Sequence, residues 1–510
     1  VTDLLPSPPV VGRAVPRLWT PPLRELTPAT SYGFEVVDFA EEIGHPLLPW
    51  QQFAVIHGGE LLEDGRPRFR IVVLLVSRQN GKTELPVVLS VYWQFRKRYP
   101  LILGTSTQLK YAKESWLKAV NLVRATRSLD VEHDPGRKWL RMTNGETESW
   151  TTPDTDGRVG RYLIAASNSE GGRSLTVHRG VADELRQHHS YDAWDAFEPA
   201  CSPLDAQIWA LSNAGDSRSV VLNDLQDSAR DYITTGVGDP RLGLLEWSSP
   251  DDADPEDVDA LLQANPRVGH GLDLEVLLAG AARAKRHGGD ALNGFLTERM
   301  CVRVKVMNPA FPPALWKACL EPGELDDDRT RLAACWDITP DGQHASLSVA
   351  AVLDDGRVRV ETVQEWTGPR AASLLERDIP AWVEKIRPKV VGWLPDGPAA
   401  AVGARLADRR RGGVAGWPPR GVKVTEIRGE LTQVTMGLGK EIAGGTLVHS
   451  GQEMLDAQIE HAEKSWRGPV WVITRRGGGN SDAVYSVGGA VHLARTMPRR
   501  RGVSKRAHSA

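Results

Sequence analysis

Seven consecutive residues, Ser77-Arg78-Gln79-Asn80-Gly81-Lys82-Thr83, have the makings of a phosphate cradle. Glycine lets backbone N–H groups close on phosphate oxygens, a lysine brings positive charge to the β and γ phosphates, and a following hydroxyl can ligate Mg²⁺. Val76 stands where such a loop usually has its first glycine, so the motif is half of the standard pattern. Downstream, Asp183-Glu184 offers an acid for the metal, Asp183, and a carboxylate to polarise water, Glu184. Acidic pairs of this kind also sit on solvated helix faces, and Val177-His178-Arg179-Gly180 ahead of this one is a poor strand. Ile208–Leu211 leads into Ser212-Asn213-Ala214-Gly215, small polar residues where an open α/β sheet presents groups to a nucleotide. Upstream, Leu48-Pro49-Trp50-Gln51 combines an aromatic ring for a base with an amide for the adenine edge, although Trp50 taken alone reads more readily as a core residue.

A second constellation is carboxylic. Asp337 ends the apolar run Ala333–Trp336, Asp396 follows Val390–Leu394, and Asp482 stands just before an apolar helical run. Carboxylates at two neighbouring strand ends and a helix start can converge, and three of them can hold two divalent ions about 4 Å apart for phosphodiester hydrolysis. Mg²⁺ or Mn²⁺ suits such an all-oxygen site. Each Asp alone also fits a turn or a helix cap. Asp341, beside Gly342, is either an accessory acid or a turn residue, and His449 is either near the metals or structural.

The elements that must position these residues are those of an α/β protein. Strand-like runs at Ile71–Val76, Leu101–Gly104 and Ile208–Leu211 alternate with helical stretches at 108–125 and 193–200, which suits a parallel sheet covered by helices. The spacing predicts a first domain over 45–310, polar and mostly helical from about 216, behind a Pro-rich leader over 1–44 that wraps it or is partly loose. Glu321–Arg331 is charged and opens on Pro-Gly, so 311–331 reads as a linker. Beyond it, runs at Leu332–Trp336, Ala345–Leu353 and Val358–Glu365 with a turn at Asp354-Asp355-Gly356 predict an antiparallel meander. A helix over 371–386 and the strand Val390–Leu394 complete a mixed α/β second domain over 332–497, with a basic tail over 498–510.

The chain of 510 residues carries 62 Lys+Arg against 65 Asp+Glu, which excludes a protein built overall as a polycation but not one with a local basic surface. From Lys464 onward there are ten basic residues against one acid, Asp482. Arg475-Arg476 precede three glycines, a loop able to follow a phosphate backbone, and Arg499-Arg500-Arg501 with Lys505-Arg506 form a tail for nucleic-acid contact, or a solvated end. Four scattered cysteines suit a reducing compartment, and with no long apolar run the expectation is a soluble, unexported protein.

Taken in order, Pro49-Trp50-Gln51, the loop ending Gly81-Lys82-Thr83, Asp183-Glu184 and Ser212-Asn213-Ala214-Gly215 resemble the ATPase half of the large terminase subunit of tailed bacteriophages. In that family a basic residue, here Arg78, accompanies a phosphate loop that lacks its first glycine. Asp337-Ile338-Thr339-Pro340-Asp341-Gly342, with Asp396 and Asp482, resembles the family's second domain. The resemblance covers most of residues 45–500. It implies a RecA-like P-loop ATPase domain followed by a ribonuclease H-like nuclease domain. ATP would be bound by Trp50, Gln51, Arg78, Gln79, Asn80, Gly81, Lys82, Thr83 and Asp183, with Mg²⁺ on Thr83 and Asp183 and Glu184 catalytic. Two Mg²⁺ or Mn²⁺ ions would sit on Asp337, Asp396 and Asp482, which are the nuclease's catalytic residues. It further implies ATP-driven translocation of double-stranded DNA into a prohead and cutting of concatemeric genomes. The partners implied are portal protein, a small terminase subunit and sister subunits in a ring, with no membrane. The expected location is the host cytoplasm, with transient attachment to the prohead. A neighbouring subunit's arginine completes the family's ATP site, and Arg158 and Arg173 are candidates. The alternative reading is an ATP-dependent helicase or repair-type nuclease, which would show paired RecA domains; a non-catalytic nucleic-acid-binding protein would make the carboxylates incidental.

Overall fold

The computed structural model describes residues 10–106, 108–129, 139–143, 146–151, 153, 155–166, 175–325, 328–395, 397–407, 417–475 and 479–497. The chain divides into two compact units, Val1–Val304 and Lys305–Ala510.

The strands of the first unit are β1 (Leu18–Trp19), β2 (Ile71–Val76), β3 (Ile102–Ser106), β4 (Leu140–Thr143), β5 (Glu146–Trp150), β6 (Arg161–Ala166), β7 (Arg179–Asp183), β8 (Gln207–Ser212) and β9 (Leu242–Trp247). They form one sheet in the order β1-β9-β2-β8-β7-β3-β6-β5-β4, parallel from β9 to β6 and antiparallel at both margins. Its helices are α1 (Gly33–Glu42), α2 (Pro49–Gly58), α3 (Glu84–Phe95), α4 (Leu109–Ala125), α5 (Trp194–Phe197), α6 (Val220–Thr235), α7 (Val258–Ala264), α8 (Leu274–His287) and α9 (Gly289–Arg299). The unbroken apolar run of β2 is explained by burial on both faces. Val72, Leu74 and Val76 join a core with α1 to α4, while Val73 and Leu75 join a second core with α5 and α6.

Three expectations change here. Residues 10–44 are woven into the unit, since β1 pairs with β9 and α1 buries Val36, Phe39 and Ala40. Within the stretch read as mostly helical, β9 lies parallel to β2; its one acid, Glu246, is buried and held by Arg17, Arg230, Gln226 and Ser248. The doubtful run before Asp183 becomes the central strand β7. Arg179 opens that strand because its guanidinium donates to the His178 and Asp205 carbonyls at 2.7 Å and lies 3.8 Å over the Tyr99 ring.

The second unit opens with α10 (Pro313–Ala318) and has a sheet of β10 (Leu332–Ile338), β11 (His344–Val352), β12 (Val358–Thr367), β13 (Val390–Trp393), β14 (Lys423–Glu426) and β15 (Leu447–His449), ordered β14-β13-β10-β11-β12-β15. β10, β11 and β12 form the expected antiparallel meander, and β13 runs parallel to β10. A hairpin of β16 (Lys464–Arg467) and β17 (Val470–Ile473) stands apart from that sheet. α11 (Ala371–Ile386) and α12 (Pro398–Ala407) cover one face, and α13 (Leu431–Ala443), α14 (Glu453–His461) and α15 (Asp482–Thr496) the other. On β10, Ala333 and Cys335 face the α15 side, and Asp337 shares their parity. α15 lies close on β10: a Cβ added at Gly489 would stand 2.4 Å from the Cys335 sulfur.

The expected linker over 311–331 is not one along its first part. Phe311, Trp316 and Cys319 are buried in the second unit's core, and Ala310 N–H bonds the Ala462 carbonyl at 2.7 Å. The charge that suggested a linker is consumed internally, Glu321 being ion-paired with Arg357 and Arg359. All four cysteines are buried and free. Among the described residues no helix is long and apolar enough to cross a membrane.

Candidate functional site

In the first unit the groups with chemistry gather at the carboxyl edge of the parallel strands. Lys82 follows β2, and Asp183 ends β7, with β8 lying between those two strands. Register places Asp183 level with Ser106 of β3 and Leu211 of β8, so Ser212 stands one residue beyond. The Lys82 ammonium crosses to the acidic pair, 2.9 Å from Glu184 Oε1 and 3.6 Å from Asp183 Oδ1. Burial alone would lower the Lys82 pKa, but Asp183 and Glu184 more than offset it and hold the amine protonated. Burial would raise the Glu184 carboxyl; Lys82 and Arg186 instead bring it below its ordinary value. Glu184 is therefore an ionised carboxylate, on a backbone held in the left-handed region at φ 56°. Such strain in a bulky residue is kept where surrounding structure imposes it, commonly at reactive sites.

The loop itself is braced from several sides. Asn80 is fully buried; its amide nitrogen donates to the Ser77 carbonyl and to Asn265 Oδ1, both at 3.0 Å, and its oxygen accepts from Arg267 N–H at 3.0 Å. Gly81 has φ +85°, and a Cβ there would crowd the Gln51 amide at 3.3 Å. Gln79 Oε1 accepts from Arg299 at 2.6 Å, and Arg78 Nη1 donates to both carboxylate oxygens of Glu298, at 2.8 and 3.0 Å. Thr83 sits immediately before α3. Replacing Asn80 with alanine strands buried partners and is expected to cost about 1–3 kcal/mol. A lower melting temperature and weaker ATP binding in a titration check it; an unchanged melt would remove Asn80 from the brace.

Two of the expected nucleotide contacts are corrected. Trp50 is 0% exposed and packs edge-on against Trp247 at 5.2 Å, so its ring offers no face to a base. Gln51 is committed at both ends of its amide, accepting from Leu48 N–H at 2.8 Å and donating to the Gly81 carbonyl at 3.0 Å. It ties α2 to the phosphate loop rather than reading an adenine edge. Arg158 is exposed and paired with Asp156, and Arg173 lies outside the described residues.

The residues present fit Mg²⁺ and a phosphate chain. Ser106 Oγ and Asn213 Oδ1 are buried polar atoms without a hydrogen-bond partner among the described residues, at the ends of β3 and β8 beside Asp183. Asn213 belongs to the Ser-Asn-Ala-Gly segment noted in the sequence. Arg186 was not anticipated: it reaches Glu184 and Glu298, both at 3.3 Å, in a chain of alternating charges that ends at Arg78. Its position two residues after Glu184 was the only available signal.

The second unit brings Asp337 and Asp482 together. Asp337 is 1% exposed near the end of β10, and Asp482, fully buried, opens α15, where the helix dipole favours a carboxylate. Burial pushes the Asp337 carboxyl up, Arg475 pulls it down and Asp482 pushes it up again, to about 6. Asp482 is raised as well, chiefly by burial, with Gln458 opposing. Gln458 on α14 fixes Asp482, donating to Oδ1 at 3.0 Å while its own oxygen accepts from Ala483 N–H at 2.8 Å. Asp482 Oδ2 is buried with no hydrogen-bond partner among the described residues. The Ser346 hydroxyl, opposite Asp337 in the β10–β11 register, also faces Asp482, but its hydrogen bond is with Ser486 at 3.0 Å.

An orphaned carboxylate oxygen beside a second buried carboxylate, in an all-oxygen donor set, fits Mg²⁺ or Mn²⁺. Asp396 lies outside the described residues, among which no cluster of three or more His, Cys, Asp or Glu side chains forms. Arg475 departs from expectation. It is turned inward and clasps Asp337, Nη1 to Oδ2 at 2.6 Å and Nη2 to Oδ1 at 2.9 Å; Arg476 lies outside the described residues. Asp341 is a turn residue, accepting from the Thr339 hydroxyl at 2.6 Å and Gln343 N–H at 3.0 Å. His449 is structural, stacked on Trp316 at 3.8 Å with Nε2 3.0 Å from that residue's carbonyl.

The fold and the two sites define a chain with a parallel α/β unit that carries a phosphate-type loop, followed by a mixed α/β unit that carries two buried acids. No protein-family model matches the chain, and no curated protein does. Among solved structures, the large terminase of bacteriophage HK97 is similar over 90% of this chain and 100% of its own, with a TM-score of 0.51 at 17% identity. The fold is that of a phage large terminase. The large terminase of a thermophilic bacteriophage matches 84% of this chain and 94% of its own at 11% identity and a TM-score of 0.32. The large terminase nuclease from the thermophilic phage G20c, with bound magnesium, matches 37% of this chain and 98% of its own at 16% identity and a TM-score of 0.27.

Proposed function

We propose that this chain is a large terminase subunit, hydrolysing ATP to drive double-stranded DNA into a prohead and cutting concatemeric DNA with a metal-dependent nuclease. One observation carries the reading: a single chain holds a phosphate-loop lysine seated on a strand-end Asp-Glu pair and, on a second fold, two buried carboxylates with an unsatisfied oxygen. Lys82 exchanges its carboxylate partners for the β and γ phosphates of ATP, which frees Glu184 to accept a proton from the attacking water. Thr83 and Asp183 would hold Mg²⁺. Asp337 and Asp482, with Asp396, would hold the nuclease metals, whose chemistry there would be to activate water and offset charge on the scissile phosphate. Asp482 is kept in place by Gln458, and the buried setting of both acids excludes competing solvent.

The helicase alternative requires a second RecA-like sheet. Among the described residues the second unit has instead the mixed sheet with its antiparallel meander. In this proposal the chain works in the host cytoplasm as a ring of subunits on the portal, with a small subunit selecting the DNA. Its support is the shared fold together with the two sites. The test is the purified chain incubated with ATP, Mg²⁺ or Mn²⁺ and plasmid: phosphate release and nicking are both expected, and absence of either defeats that half of the reading. Removing residues 499–510, which carry five basic side chains, is expected to weaken DNA binding and flatten its salt dependence. Equal affinity with an equal salt slope would reduce the tail to a solvated end.

A further inference from the structure

Arg475 stands two residues beyond β17 and points back into the nuclease site. Its guanidinium engages both oxygens of Asp337, with Nη1 also 3.4 Å from the Ile338 carbonyl, and lies 3.9 Å over the ring of Tyr485 on α15. Asp337 is almost fully buried and Arg475 only 17% exposed, so this is a desolvated, forked ion pair seated on an aromatic face. A carboxylate has about four lone-pair sites, and a forked arginine takes one on each oxygen. The lone pairs left open are on the same two oxygens, so a divalent ion shared by Asp337 and Asp482 would stand against the like charge of the bound guanidinium in a desolvated site. The neighbouring acid, Asp482, has no arginine or lysine hydrogen-bonded to it among the described residues; Gln458 donates to one oxygen and the neutral Ser346 hydroxyl faces it. The positive charge is thus delivered to one ligand of the pair, and the other is left waiting.

We propose that Arg475 is a built-in substitute cation that occupies Asp337 in the metal-free protein, so that divalent ions enter by displacing the guanidinium from at least one Asp337 oxygen. This rests on the reading of Asp337 and Asp482 as metal ligands. Arg475 is a positioning residue: it keeps a buried acid compensated while the site is metal-free and sets the metal concentration at which the site fills. Removing one partner of a buried pair leaves an uncompensated charge, which here favours any incoming cation.

The test is Mn²⁺ binding to the full chain without ATP or DNA, read as loss of the free-ion signal in electron paramagnetic resonance. Arg475→Gln is expected to bind Mn²⁺ at least about tenfold more tightly than the parent, a gain of about 1.4 kcal/mol. Arg475→Lys, which keeps the charge but cannot fork, is expected to fall between them and carries the test alone if the glutamine variant does not fold. Asp482→Asn is expected to abolish the site in either background. Unchanged or weaker binding by the Arg475 variants, with Asp482→Asn still abolishing it, overturns the substitution and leaves the metal site standing. If Asp482→Asn binds as the parent does, the metal reading falls and the inference with it.

Discussion

Lys82→Ala is expected to slow ATP turnover by at least about 100-fold, the scale on which removal of a preorganised charge from a transition state is felt. The lysine is the only described basic side chain within ion-pair distance of both Asp183 and Glu184. Without it the β and γ phosphates would meet two adjacent carboxylates with less charge to offset them, so binding and chemistry both suffer. Mn²⁺-dependent nicking of plasmid is expected to persist, because Asp337 and Asp482 belong to the other compact unit. Phosphate release and gel mobility of the same preparation give both readouts. ATPase rates left intact by the substitution would mean that the loop is not the nucleotide site.

Asp337→Ala is the mirror experiment. It removes one of the two buried carboxylates proposed to hold the metals and breaks the forked pair with Arg475. Metal ions contribute several kcal/mol to such transition states, so nicking is expected to fall by about 1000-fold at 4 kcal/mol, with ATP turnover retained. In the alanine variant the largely desolvated Arg475 guanidinium loses its forked acceptor, so a lower melting temperature is also expected. Mn²⁺ is expected to raise the melting temperature of the parent but not of the variant. Robust nicking by Asp337→Ala would place the nuclease chemistry elsewhere.

Much of this arrangement was legible in the sequence because it rests on strong local signals. The run Ile71–Val76 is apolar on both faces, so it had to be a covered parallel strand, and the loop after a covered parallel strand lies at the edge where ligands bind. Asp337 and Asp482 were legible as acids at the end of one apolar strand and the start of one apolar helix. The failures share a different cause, which is charge or polarity cancelled by residues far away in sequence. Arg179 hid the start of β7 because its partners, Asp205 and Tyr99, lie on other segments. Glu246 hid β9 in the same way, through Arg17 and Arg230. With β9 unread, nothing in the sequence showed that Trp50 had Trp247 to pack against. Glu321 made a packed segment look like a linker because Arg357 and Arg359 come later. Arg475 next to a glycine run looked like an outward, backbone-following residue; only the fold shows a buried acid within its reach.

The seating of α15 on the sheet also has a mechanical side. The helix begins at Asp482 and ends at Thr496, one rigid rod about 22 Å long at 1.5 Å per residue. Near its far end Arg495 is anchored to Glu441 and to the Gly356 carbonyl, and the basic tail begins just beyond. A load on this end of the helix would meet the Arg495 anchor first and then run along the rod's axis toward the acid at its head. The close fit of Gly489 against Cys335 leaves the rod little room to slide, so tension there is resisted by packing before it reaches Asp482.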